Sequence, residues 1–360
     1  MKSQVKNFFE RYERHTGIAL MALGFFIDNL TLKRIDLLFD NLIFFFYLTI
    51  ALSTILITNA YQGGKLRTRF MEKHQVWLSL PMQYAFGGLF SGFVVIYSRS
   101  GTVVASWLFL AILAALLIGN EFAKSNYARL TYRITIFFTA FFSYTIFYIP
   151  VLTKRMGAGT FLLSGAVSLL GIGIVLLVLR NLTRAYFRQQ RVKVAASIAS
   201  VFLLFNLLYF TNVIPPVPLS LKAIGIYHEI RTVSRGYTAS VEPPRWYEFY
   251  NDTGRVFQRY GNEPVFVFSS IFAPTDLRTP VFHQWFFYDP QSRSWVAKDR
   301  LSFPILGGRD GGYRGYSQKR NVQEGKWRVD VVTARGQLIG RITFTVTAVD
   351  TSAQTNPVTL

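Results

Sequence analysis

Between Gly307 and Arg320 the chain reads Gly-Gly-Arg-Asp-Gly-Gly-Tyr-Arg-Gly-Tyr-Ser-Gln-Lys-Arg. Glycines bare backbone N–H groups, and Arg309, Arg314, Lys319 and Arg320 supply cations, the ingredients of an anion site. A nucleotide phosphate loop needs G-x-x-x-x-G-K-[ST] between a strand and a helix. Here the Lys-Ser/Thr pair is missing and β-like sequence follows. Two readings remain. One is a glycine-rich turn with a solvated basic flank. The other is a recognition surface whose cations take phosphate or carboxylate groups while Tyr313 and Tyr316 offer flat faces to sugars. His283 and Trp285, on a neighbouring predicted strand, join this candidate ligand surface.

A second constellation lies in Phe25–Asn41, where Asp28, Asp36 and Asp40 surround Lys33 and Arg34. An acid within apolar sequence costs on the order of 3 kcal/mol on insertion scales, so it needs a partner or a task. Asp36 and Asp40, four apart, share a helix face where a helix start favours carboxylates. The cluster reads as a salt-bridged hairpin fixing the entry of two helices. Its alternative is the working corner of a transporter or lipid-handling protein, although the later spans add only Gln83, Tyr84 and Asn206 as polar candidates.

Other chemistry is hard to assemble. The histidines are His15, His74, His228 and His283, none with an i+4 partner or metal-ligand spacing, and there is no cysteine. No G-x-S-x-G, H-E-x-x-H or paired-acid motif occurs, and no helix-turn-helix or zinc finger. The expectation is a protein that is not an enzyme, needs no metal or cofactor, and has no nucleic-acid partner.

The elements that must position these residues are apolar. The chain is 51% hydrophobic with 34 Phe and 19 Tyr, which points to membrane. Seven runs, 17–32, 42–60, 76–97, 102–119, 134–152, 160–179 and 194–214, approach or reach the roughly 20 residues that span a bilayer. The first is the shortest and has no cleavage site after it, so it reads as an uncleaved anchor. The net charge of +20 is unevenly placed. Lys2, Lys6, Arg11 and Arg14 precede the first run; Lys65, Arg67, Arg69 and Lys73 follow the second. Lys124, Arg129 and Arg133 follow the fourth, and Arg180, Arg184, Arg188, Arg191 and Lys193 the sixth. Against these sixteen, the intervening loops hold five: Lys33, Arg34, Arg99, Lys154 and Arg155. The positive-inside rule then puts the N-terminus in the cytoplasm and everything beyond 214 outside. Small-residue spacing, Gly88-x-x-x-Gly92 and Gly165, Gly171 and Gly173, suggests close helix contacts.

Beyond "IPPVPLS" the texture changes to strand-like alternation. Strands are predicted at 265–272, 281–288, 294–303, 326–334 and 338–349, bounded by turn signals. Ile342, Phe344, Val346 and Ala348 alternate with Arg341, Thr343, Thr345 and Thr347, giving one dry and one wet face; Trp327, Val329 and Val331 alternate likewise with Arg328 and Asp330. The organisation expected is a seven-helix transmembrane domain (1–214), a linker and membrane-proximal segment (215–262), and an immunoglobulin-like β-sandwich over 263–360.

The stretches "VFHQWFF", "GGRDGGYRGYSQKR" and "GKWRVDVVTARGQLIGRITFTV" resemble the domain of unknown function 2914 of bacterial envelope proteins, over roughly 281–346. "GFFIDNLTLKRIDLLFDN" is similar to the membrane region that often accompanies it. The resemblance implies an inner-membrane protein with a periplasmic β-domain; it supplies no activity and no catalytic residues. The function expected is a binding, scaffold or sensor module for an envelope protein, glycan or anionic lipid head group.

Overall fold

The computed structural model describes residues 22–32, 38–66, 78–122, 126–233, 236–243, 254–274, 277–306 and 313–360. Among the described residues seven α-helices come first: α1 (22–31), α2 (Leu38–Gln62), α3 (Ser79–Arg99), α4 (Val103–Phe122), α5 (Leu130–Thr153), α6 (Ala158–Leu182) and α7 (Arg184–Phe210). Five of them, α2, α3, α5, α6 and α7, are long and apolar enough to cross a membrane; Ala105–Asn120 of α4 is apolar but shorter. The seventh begins ten residues before the predicted 194. Its first turns, "RAYFRQQRVK", combine charge with good helix formers, so the apolar run starts later than the helix does. It ends at Phe210, four residues short of prediction. Asn212 there takes a left-handed φ of 60°, and Pro215 and Pro216 follow.

The helices are apolar inside and out, the pattern of helices that sit in lipid. Outward faces carry Phe45, Phe46, Leu170, Ile174, Leu203 and Leu207, all exposed. Inside, α5 is the most enclosed, with 72% of its apolar window buried, against 33% for α2 and α6 and 28% for α7. Glycines let rings approach. A Cβ on Gly92 would meet the Phe44 ring at 2.6 Å, and one on Gly88 would meet Tyr47 at 2.6 Å. Phe44 in turn stacks on Phe93 at 5.3 Å. Gly171 lies under Phe141 and Gly165 beside Phe202, whereas Gly173 faces open space. Between α5 and α6 the Thr145 and Ser168 hydroxyls meet at 2.7 Å. Overpacking such a contact costs about 1–3 kcal/mol. Gly92→Ala is therefore expected to lower the melting temperature of the detergent-solubilised protein while Gly173→Ala leaves it unchanged; equal melting of the two would refute the close-contact role.

The chain divides into two compact units. The second gathers Pro215–Leu360 with Arg99–Ala105 and Lys154–Met156. It holds eleven strands among the described residues: β1 (Ser220–Tyr227), β2 (Glu229–Val233), β3 (Gly236–Val241), β4 (Val256–Tyr260), β5 (Val265–Phe272), β6 (Arg278–Asp289), β7 (Ser294–Leu306), β8 (Tyr313–Lys319), β9 (Gly325–Thr333), β10 (Leu338–Val349) and β11 (Asn356–Thr359). The five predicted strands are β5, β6, β7, β9 and β10. The linker and membrane-proximal segment, 215–262, contains β1 to β4. Its strands are short or interrupted, Ser220–Tyr227 turning at His228 into Glu229–Val233, so no long alternation marks them.

Three sheets form, in the orders β1-β5-β8, β4-β10-β9-β6-β7 and β11-β3-β2. Only β4 and β10 pair in parallel within the five-stranded sheet; its other pairs are antiparallel. Register lines up the core. Phe287 faces Trp327, which faces Phe344, and Trp285 faces Val329, which faces Ile342. These rows pack against Val265, Val267 and Ile226 of the β1-β5-β8 sheet, forming one buried cluster between the two sheets. The dry face of β10 holds at Phe344 and Val346, but Ala348 is exposed near the strand's end.

Candidate functional site

The basic, tyrosine-bearing segment is largely strand. Tyr313–Lys319 is β8, paired antiparallel with β5, and 307–312, with Arg309, lie outside the described residues. Strand alternation splits the expected ligand residues between two faces. Arg314 and Tyr316 project to one side: Arg314 Nη1 donates to the Leu360 carbonyl at 2.8 Å, and the Tyr316 ring meets Tyr237 edge-on at 5.7 Å. Tyr313 and Lys319 project to the other. Tyr313 packs against the cluster of Leu219, Ile271 and Val281, and Lys319 pairs with Asp299. Arg320 is exposed just beyond the strand. The five described residues do not converge on one surface. Gly315 also changes meaning, because a Cβ there would lie 2.4 Å from Phe303, so the glycine serves close packing within a strand.

His283 and Trp285 are corrected outright as surface residues, since both are fully buried. They form a hydrogen-bonded chain linking the two facing sheets. Trp285 Nε1 donates to Ser317 Oγ at 3.1 Å, Ser317 Oγ lies 2.8 Å from His283 Nδ1, and His283 Nε2 lies 2.8 Å from Ser269 Oγ. The Trp285 N–H can only donate, so Ser317 Oγ accepts from it, and the two serine hydroxyls occupy both ring nitrogens of His283, one of which donates and the other accepts. Burial pushes the His283 pKa down to about 3, so the ring is neutral and both nitrogens are satisfied. The chain of hydrogen bonds lies within the buried core between the two sheets.

His228, unassigned from sequence, sits between two carboxylates. Its Nδ1 is 3.0 Å from Glu263 Oε1, its Nε2 2.9 Å from Glu242 Oε1, and its ring stacks on Phe257 at 4.1 Å. The carboxylates occupy different nitrogens of the ring, which makes a brace across the β1–β2 bend and the ends of β3 and β4. Among the described residues no group of three or more His, Cys, Asp or Glu could hold a metal ion.

In the helical unit, Asp28 of α1 accepts from Ser91 Oγ of α3, and Asp40 is buried in the first turn of α2. Lys33, Arg34 and Asp36 lie outside the described residues. Sequence reasoning placed Arg133 in a loop; it is in the first turn of α5 and wholly buried.

The most developed exposed arrangement is the wet face of the five-stranded sheet. Arg328 lies 4.2 Å from the centre of the Phe286 ring and 4.9 Å from Trp295, and Arg300 lies 4.2 Å from Phe282. Arg341 grips Asp330 through two hydrogen bonds of 2.6 and 2.8 Å, which is why Asp330, on the predicted wet face, is buried. Burial lowers the Arg328 pKa and Asp330 beside it opposes the shift. Lys326 and Arg300 are exposed on the same face. Two arginines, Arg328 and Arg341, thus flank one acid, while Arg300, held by the Thr333 and Ala334 carbonyls, lies over Phe282 on the same face, a fixed cationic and aromatic surface. Alternation in β9 and β10 marked this face; its aromatic half comes from β6 and β7, whose pairing sequence did not show.

Apolar helices long enough to span a membrane, joined to a β-rich C-terminal region, define the class of protein. Residues 278–346, from β6 into β10, match the family described as "Protein of unknown function (DUF2914)". That match includes the arginine-bearing face and none of the helices. No curated protein matches the chain. Among solved structures, the Pseudomonas fluorescens alkylpurine DNA glycosylase AlkC bound to DNA containing an abasic site analog aligns at 8% identity over 88% of this chain and 100% of that one. Its TM-score of 0.23 carries no argument about fold or activity.

Proposed function

We propose that this is a non-enzymatic, multi-pass protein of a bacterial inner membrane, crossing seven times, with its β-rich unit in the periplasm as an immunoglobulin-like binding or scaffold module. Its partner is an envelope component that presents anionic groups: a protein, a glycan or a lipid head group. The observation that carries the reading is the wet face of the five-stranded sheet, where Arg300 and Arg328 are held flat on Phe282, Phe286 and Trp295. Pre-ordered guanidinium groups lose little freedom on meeting phosphate or carboxylate. Topology is supported by the sixteen-to-five division of basic residues between alternate ends of the apolar runs. Transport or lipid handling through the acidic corner is the less supported reading, resting on the Asp28–Ser91 contact.

A periplasm-active reporter enzyme fused after Leu360 is expected to be active, and a silent fusion would overturn the topology. Arg300→Ala with Lys326→Ala spares the Asp330 pair. Each lost charge-assisted contact is worth about 1.5–3 kcal/mol, so in vivo crosslinking to the partner should fall roughly tenfold or more. Unchanged crosslinking would remove the face from the binding site.

A further inference from the structure

Arg133 is a buried cation without a counter-charge among the described residues. It is fully buried in the first turn of α5, on a helix long and apolar enough to cross a membrane. Its Nη2 donates to Gln62 Oε1 at 2.8 Å and, more weakly, to Asn59 Oδ1 at 3.4 Å, both on the last turns of α2. Its Nε and Nη1 are shielded from solvent and have no partner. Of the five N–H groups of a guanidinium, three are therefore unused. The two partners are neutral amides, and no carboxylate of the described residues pairs with it. Amides or trapped water can quench donors, but they leave the charge itself uncompensated, which is the costly part of burying an arginine.

The location suggests what completes it. The last turn of α2 and the first turn of α5 are ends of apolar helices, and the end they share is the charge-rich one: Lys65 donates to the Asn181 carbonyl at the end of α6, and Arg129 and Arg184 are exposed nearby in sequence. Gln62, the closer of the two partners, is itself exposed, so a swing of its side chain would uncover the guanidinium. We propose that Arg133 heads an anion site for a phosphate group, with Asn59 and Gln62 as neutral hydrogen-bonding walls, and that its source is the head group of an anionic lipid. The site is independent of the β-rich unit and uses the membrane reading only to name the lipid as source.

The test is a thermal melt of the full-length protein, delipidated in neutral detergent, alone and with phosphatidylcholine, phosphatidylglycerol or inorganic phosphate. Wild type is expected to gain about 3 °C or more with phosphatidylglycerol and little with phosphatidylcholine. Arg133→Met, which removes the charge, is expected to melt above wild type without lipid and to gain nothing from phosphatidylglycerol, reversing the order of the two proteins. Arg133→Lys should keep part of the gain. An equal rise with inorganic phosphate assigns the site to a free anion and overturns the lipid source. Wild type that responds alike to both lipids and not to phosphate overturns the site, whether or not Arg133→Met folds.

Discussion

Replacing Trp285 by alanine is expected to cost the β-rich unit about 3–5 kcal/mol, the range for deleting a fully buried large aromatic. The indole has no exposed surface, meets Trp327 and Phe344 edge-on at 6.3 and 6.2 Å, and lies on β6 in the cluster buried between two sheets. Its removal opens a cavity and also takes from Ser317 Oγ one of its two buried side-chain partners, the other being His283. Trp285→Phe separates the two effects. It keeps most of the volume, loses the N–H, and is expected to cost about 1–3 kcal/mol. Urea unfolding of the full-length protein in detergent, followed by near-ultraviolet circular dichroism, reads both. A Trp285→Ala protein unfolding within experimental error of wild type would refute this account of the core.

Acidification should weaken the same unit through His283. Its folded pKa is depressed to about 3 by burial, whereas an unfolded histidine titrates near 6.5. The unfolded chain therefore takes the proton first as pH falls. The stability this histidine contributes is complete above about pH 6.5 and is lost progressively as pH drops toward 3. Between pH 7.5 and 4.5 the expected loss is on the order of 2–3 kcal/mol from this group alone. His283→Gln is expected to be less stable at pH 7.5, because the hydrogen-bonded chain is disturbed, and to lose less on acidification. A pH dependence equally steep in both proteins would place the effect elsewhere.

The outline of the molecule was legible because it depends on local pattern. Runs of apolar residues long enough to span a bilayer gave six helices within a few residues at most boundaries, and period-two alternation gave β5, β6, β7, β9 and β10. Where pattern was weak, reading failed for a physical reason. The strands of 220–260 are short and broken by a bend at His228, so their hydrophobic period never repeats enough to register. Arg133 was read as a loop charge because charge ends an apolar run, yet helix propensity carries α5 through it.

The candidate sites show the same division more sharply. The segment from Tyr313 to Lys319 looked like one basic surface because its cations and tyrosines are adjacent in sequence; as a strand, adjacency sends neighbours to opposite faces. His283 looked like an available imidazole, and only the facing sheet, through Ser269 and Ser317, buries it. The sequence by itself determined which stretches are apolar helices, where five of the strands lie, and how basic charge is distributed between the ends of the apolar runs, since each follows from composition and period along the chain. Tertiary structure alone decided which charges are compensated. Asp330 finds Arg341 across a strand pair, His228 is braced by residues 14 and 35 positions away, and Arg133 donates to amides 71 and 74 positions away. Electrostatic pairing falls off with distance through space, and no local periodicity encodes that distance.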